Sequence, residues 1–483
     1  MKPSLLAALL ITSPAVLLYA ENARNPAVGI PPMTNPSMPP ATYYVSSSRG
    51  NDQADGRSPQ TAWRTLSRVN TAAIEPGDTV LFQRDNLWRG QLRPKNGNAS
   101  RAVTYGAYGS GAKPIIQGSV AKDDPEDWVK SDNSLWATRS STTAPLDVDV
   151  GNIIFDHGRA CGVKKWRLED LHQNGDFWYD DTKHQVWLYS DSSPTTQFHS
   201  IELALRNHII LEDNARYVTY EDLHLRYGGA HGIGGTNTEH ITARRCDICF
   251  IGGSLQKMRD GKPIRYGNGV EFWNRAQHNL VEQCRIWEIY DAALTDQGNG
   301  TDSEQVDITY RDNTIWNAEY SFEFWNRPAT ARTENILFEH NTCVNAGHGW
   351  GHNQRPDPNG HHLMFWSNTA PARDVVIRNN IFCDSTDACM RIDNDWTAAL
   401  TMDHNLWFQA SGPLFDFLRR KFAPDQADSY RSATGFDTHS LVAEPKFHDP
   451  ARHDYRLDAG SPGINTASDA RPCGSILSAN PND

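Results

Sequence analysis

The chain has 483 residues, of which 38% are hydrophobic and 22% charged, with a formal net charge of −12. That acidic balance argues against nucleic acid as a partner, because phosphate contact needs a basic surface. It also mildly disfavours a polyanionic substrate, although local basic clusters can override the global sign.

Residues 1–20, MKPSLLAALLITSPAVLLYA, carry one lysine, an apolar run and a small residue at Ala20, the pattern of a secretory signal peptide. Residues 21–42 follow as a linker, with six prolines between Asn25 and Ala41. No later stretch approaches the ~20 apolar residues of a membrane span. A secreted or periplasmic protein, expected to act as a monomer, is the reading. Eight cysteines in an exported chain permit disulfides. Cys246 and Cys284 recur at one repeat position and are expected to pack as small apolar groups.

Residues 43–120 open with YYVSSSRGNDQADGRSPQTAWRTLSRVN and continue through PGDTVLFQRDNLWRGQL and AVTYGAYGSGAKPIIQG. A helix is predicted from Ala62 to Ala73, with Thr61 or Ser58 near its start and Pro76-Gly77 ending it. In residues 121–200, Trp128, Trp136, DFWYD and HQVWLYS suggest a small antiparallel insertion with its own aromatic core.

Residues 201–410 hold a repeat. VTYEDLHL (218–225), ITARRCDI (241–248), NLVEQCRI (279–286), ITYRDNTI (308–315), ILFEHNTC (336–343), VVIRNNIF (375–382) and LTMDHNLW (400–407) align on one position. That position holds Leu223, Cys246, Cys284, Asn313, Asn341, Asn380 and Asn405. Each segment alternates apolar and polar residues, as a half-buried strand does. Strand repeats at such spacing mean a solenoid, each coil burying its apolar face on the next. The four asparagines fit an internal ladder of amides. The fold expected is an all-β parallel β-helix, closed by residues 411–483.

The opening segment, the repeat and the tail HSLVAEPKFHDPARHDYRLDAGSPGINTA (439–467) resemble right-handed parallel β-helix proteins of the pectate-lyase-like superfamily. The resemblance implies a cap helix over the first coil and a carbohydrate-active protein with a polysaccharide partner. It speaks for the fold more than for any one activity.

A second ladder lies downstream in each coil: HGIGGTN (231–237), NGVEFWN (268–274), AALTDQG (292–298), YSFEFWN (320–326), HHLMFWS (361–367) and ACMRIDN (388–394). Alternation points Val270, Phe272, Phe322, Phe324, Leu363 and Phe365 inward. Glu271, Trp273, Glu323, Trp325 and Trp366 then face outward, with Arg275 and Arg327 at the edge. The tryptophan column is a platform for sugar rings. Glu271 and Glu323 stand two coils apart, about 10 Å at the backbone, near the spacing of an inverting glycosidase pair. Asp296 occupies an inward position, so it needs a bulge or a partner.

Two long loops, 254–268 and 347–362, add Lys262, Arg265 and His361, and His231 lies in the turn aligned with Asn268, Tyr320 and His361. The superfamily commonly cleaves uronate polymers by β-elimination, which requires a base and a positive charge on the uronate. On that reading His231, His361 or Lys262 supplies the base, and Arg265, Arg275 and Arg327 supply charge. Glu271, Asp296 and Glu323 would then be ligands for a calcium ion. A polysaccharide lyase is the first expectation, a hydrolase using the carboxylates the second, and a non-catalytic glycan-binding protein the third.

Overall fold

A computed structural model describes residues 39–132, 134–140 and 145–479. The segments expected to be a signal peptide and, for the most part, a linker lie outside the described residues. No helix among the described residues is long and apolar enough to cross a membrane.

The chain from Pro40 onward is a parallel β-helix. Its central sheet has 26 strands, and in the repeat each strand pairs in parallel with its counterparts one coil before and one coil after. One coil shows the plan. Glu304–Arg311 forms the first face. A corner follows, and Thr314–Asn326 then bends through the other two faces. Its start pairs with Thr342–Ala346, and its end pairs with His361–Phe365.

The strand pairings reproduce the expected alignment. Val218 pairs with Ile241, Ile308 with Ile336, Ile336 with Val375 and Val375 with Leu400. Before each ladder residue sits one residue with left-handed backbone: Asp222, Arg245, Gln283, Asp312, His340, Asn379 and His404, with φ between 51° and 60°. That conformation turns the chain between the first two faces. It leaves the next backbone N–H inside the stack.

The asparagines satisfy it. Asn341 Oδ1 accepts the Asn313 backbone N–H at 3.0 Å and the Asn313 side-chain N–H at 2.9 Å. Asn380 Oδ1 serves Asn341 in the same way, and Asn405 Oδ1 serves Asn380. Cys246 and Cys284 fill the ladder position upstream as buried thiols. Each thiol donates to a backbone carbonyl, Arg244 O at 3.5 Å and Glu282 O at 3.4 Å.

The cap helix is shorter than predicted, Leu66–Thr71, with Thr65 as its N-cap. Trp63 is drawn off into pairing with the first strand, where its N–H donates to Tyr44 O at 2.8 Å, and the Ala62 carbonyl accepts the Asn51 N–H at 2.8 Å. Ser58 instead caps the short turn Pro59–Thr61. Leu66 and Val69 bury against the first coil.

Residues between Ser119 and Leu205 form two small, mostly antiparallel sheets around Trp128, Phe155, Phe177 and Leu188. At the far end, Tyr430 of the helix Ala427–Thr434 stacks on Phe415 with centroids 3.9 Å apart. The tail then runs back over the second face, where His453 stacks on Trp316 at 4.8 Å.

Candidate active site

The third face carries a cleft of about 270 Å³. Its floor comes from adjacent coils. Ile233 pairs with Val270, Val270 with Leu294, Leu294 with Phe322 and Phe322 with Leu363, all pointing inward. The same register places Glu271, Thr295, Glu323 and Met364 side by side on the outer surface.

Two excursions cover part of that surface. Ser254–Arg259 and Lys262–Tyr266 form an antiparallel hairpin. The 347–360 loop is pinned by Glu288, which accepts the Trp350 backbone N–H at 2.9 Å. Gln354 on that loop donates to Gly162 O of the insertion at 2.8 Å. This cover is why Thr295, Gln297 and Met364, outward by alternation, are nonetheless buried.

Four carboxylates line the cleft with His231, Tyr266, Tyr290, Tyr320, Trp325 and Trp366, three of them at its floor and Asp357 exposed at its rim. The first is Glu271, whose Oε2 lies 2.5 Å from His231 Nε2. The second is Asp291, whose Oδ1 accepts from Arg355 at 3.0 Å. Burial pushes its carboxyl up, and Arg355 opposes that. The third is Glu323, which accepts the Trp366 indole N–H at 2.6 Å and the Gln297 side-chain N–H at 2.5 Å. Burial first, and then the charge of Asp291, push the Glu323 carboxyl up to about 8. Such a group holds its proton at neutral pH and can donate it.

The structure brings together Glu271, Glu323, His231, Arg265, Trp325 and Trp366 of the residues singled out in the sequence. Trp273 stands beside them, edge-on to Trp325 with centroids 5.4 Å apart.

Several expectations are corrected. Asp296 is fully buried on the opposite side of its strand and has the partner that its inward position requires. The Tyr310 hydroxyl donates to its Oδ1 at 2.6 Å. Glu271, Asp296 and Glu323 therefore do not converge on one point, and the calcium set drawn from them does not fit this geometry. His361 is buried behind Tyr320 and donates from Nδ1 to Ala388 O at 2.6 Å, so it does not reach the cleft. Lys262 is exposed where the hairpin turns and does not line the cleft.

His231 is no free base. Its Nδ1 accepts the Asn268 backbone N–H at 2.9 Å, and its Nε2 faces Glu271. Arg265 spends its guanidinium on Gly253 O, Gly151 O and Gln354. Arg275 and Arg327 are exposed outside the cleft, and Arg327 lies over Trp325 at 4.4 Å.

No protein-family model matches the sequence. A stretch of 88 residues, 17% of this chain, is 36% identical to the lacto-N-biosidase of Bifidobacterium longum. The matched stretches span only 6% of that protein and 19% of YwoF from Bacillus subtilis, an uncharacterized protein 35% identical over 92 residues. Among solved structures, one described as a glycoside hydrolase has a TM-score of 0.47 at 8% identity, covering 78% of this chain and 95% of its own. A GH136 lacto-N-biosidase from Eubacterium ramulus has a TM-score of 0.43 at 15% identity, covering 78% and 65%.

Asp291 was not among the residues the sequence pointed to, and Arg355 stood out only as one cation of the 347–362 loop. A signal was present. Ala292 pairs with Tyr320, which sets Asp291 and Glu319 at one position in adjacent coils. Two stacked acids call for a cation, and Arg355 is it, 3.0 Å from Asp291 and 3.6 Å from Glu319.

Proposed function

We propose that this chain is a glycoside hydrolase that cleaves a neutral glycan in the third-face cleft. The observation carrying this reading is Glu323, a buried carboxyl pushed up to about 8 that lies two coils from Glu271 on the same face. Glu323 gives its proton to the glycosidic oxygen as that bond breaks. Glu271, oriented by His231, takes a proton from the water that attacks the anomeric carbon. Backbones two coils apart stand about 10 Å from one another, which suits the ~6.5–9.5 Å carboxyl separation of an inverting mechanism. Trp325 and Trp366 line the cleft beside the two acids, each with one face under an arginine, Arg327 and Arg391, and the other left for a sugar ring, and Asp291 helps to keep Glu323 protonated.

The charge pattern supports hydrolysis over β-elimination. A lyase site needs cations free for the uronate carboxylate; of the three arginines lining the cleft, Arg265 and Arg355 are held by partners within the protein, and Arg259 lies exposed at the rim. Asp357 adds a fourth acid at the rim. The sequence shared with a lacto-N-biosidase points the same way. Following the anomeric configuration of the first product by NMR tests the mechanism. Inversion is expected, and retention would overturn the assignment of Glu271 as base.

A further inference from the structure

We propose that Asp403, His404 and His439 form a surface site for a divalent transition metal of the zinc class, tying the last ladder coil to the closing segment. None of the three lines the cleft. One ligand atom from each lies within 4.8 Å of the other two.

The arrangement around them is directed. Asp403 ends the strand Leu400–Asp403, and His404 is the left-handed corner residue that follows it. His439 comes from the turn that leads into Leu441–Val442. The Asp403 carboxylate divides its work. Oδ1 accepts the backbone N–H groups of His404 at 2.9 Å and His439 at 2.7 Å. Oδ2 accepts the Thr438 hydroxyl at 3.3 Å and faces the imidazoles, 2.6 Å from His439 Nδ1 and 4.0 Å from His404 Nε2.

His404 Nδ1 lies 2.9 Å from the Thr466 carbonyl oxygen. A carbonyl only accepts, so Nδ1 carries the proton and Nε2 keeps its lone pair. An imidazole whose far nitrogen is bonded to a backbone carbonyl is the usual arrangement around a ligating histidine. The two rings lie nearly parallel, 5.0 Å apart at 10°. For both lone pairs to meet one ion at about 2.0–2.2 Å, one ring must turn out of this stack, and His439, which is exposed, is the ring placed to turn. Two imidazoles and one carboxylate suit zinc or its neighbours in the transition series rather than calcium or magnesium. Water completes the shell.

The consequence is mechanical. Asp403 and His404 belong to the coil, while His439 and Thr466 belong to the segment that folds back over it. A bound ion would fasten one to the other.

The test is calorimetric titration of the untagged full chain with Zn²⁺, repeated with Co²⁺ to read its visible absorption bands. His439→Ala, His404→Ala and the control His448→Ala are compared with the native chain. His448 faces Asp458 at 3.0 Å as a simple exposed pair. The native chain and the control are expected to bind one equivalent that His439→Ala and His404→Ala lose, or hold at least about tenfold more weakly. Zinc should raise the melting temperature only where that equivalent is bound. His439 is exposed, so its removal leaves the fold testable if His404→Ala does not fold. An unchanged stoichiometry and affinity in His439→Ala, or no saturable binding by the native chain, overturns the proposal.

Discussion

His231 Nε2 lies 2.5 Å from Glu271 Oε2, while Nδ1 of the same ring accepts the Asn268 backbone N–H. A backbone N–H only donates, so the ring holds its proton on Nε2 and points it at Glu271. His231 is thus a positioning residue. Glu271→Gln is expected to lower kcat by about 10²–10⁴-fold, the usual worth of a general base. His231→Ala should lower kcat less, with KM little changed. Equal losses in the two variants, or a loss confined to KM, would contradict these roles.

Glu323 should set the alkaline limb of the rate profile. As an acid with its carboxyl at about 8, it is active while protonated, and the rate falls as pH rises through that value. The Trp366 N–H bond lowers that value. Trp366→Phe therefore moves the alkaline limb to higher pH, while Glu323→Gln removes turnover with the fold intact. A limb that stays put in Trp366→Phe would separate Glu323 from the profile.

Asp296 gives a stability signature independent of catalysis. Burial pushes its carboxyl from 3.8 to about 7. A carboxyl raised on folding contributes stability that is complete below about pH 4 and lost as pH rises through about 7. Asp296→Asn still accepts from the Tyr310 hydroxyl but cannot ionise. It should therefore melt several degrees above the native chain at pH 8 and close to it at pH 4. Parallel melting curves at both values would refute this.

The asparagine ladder predicts a large cost for a single amide. Asn341→Ala strips the acceptor from the Asn313 backbone N–H and the donor from Tyr310 O, both buried. Each unmet buried group costs about 1–3 kcal/mol. Denaturant unfolding should show a loss of about 2–6 kcal/mol, against little for Cys284→Ala beyond its lost volume.

Most of the scaffold was legible because alternation and corner residues are local. The pairings Val218 with Ile241 and Phe322 with Leu363 follow from aligning short segments. Asp296 was recognisable as anomalous, but its partner Tyr310 reaches it across the core from another face. The cover over the third face was not legible. The hairpin around Lys262 and the 347–360 loop have no repeat, and their docking rests on distant contacts such as Gln354 to Gly162. Those contacts decided which outward residues met: they assembled Asp291, Arg355 and Glu323 and left Arg275 and Arg327 outside.

Hydrolysis by Glu323 and Glu271 leaves a product that elimination does not. The direct measurement is incubation with neutral glycans and uronate polymers, reading reducing ends and the ultraviolet absorbance of unsaturated uronates together. Reducing ends from a neutral glycan, no unsaturated product, and no reaction by Glu323→Gln are expected. Unsaturated product from a uronate polymer, or full activity in Glu323→Gln, would contradict hydrolysis by this pair.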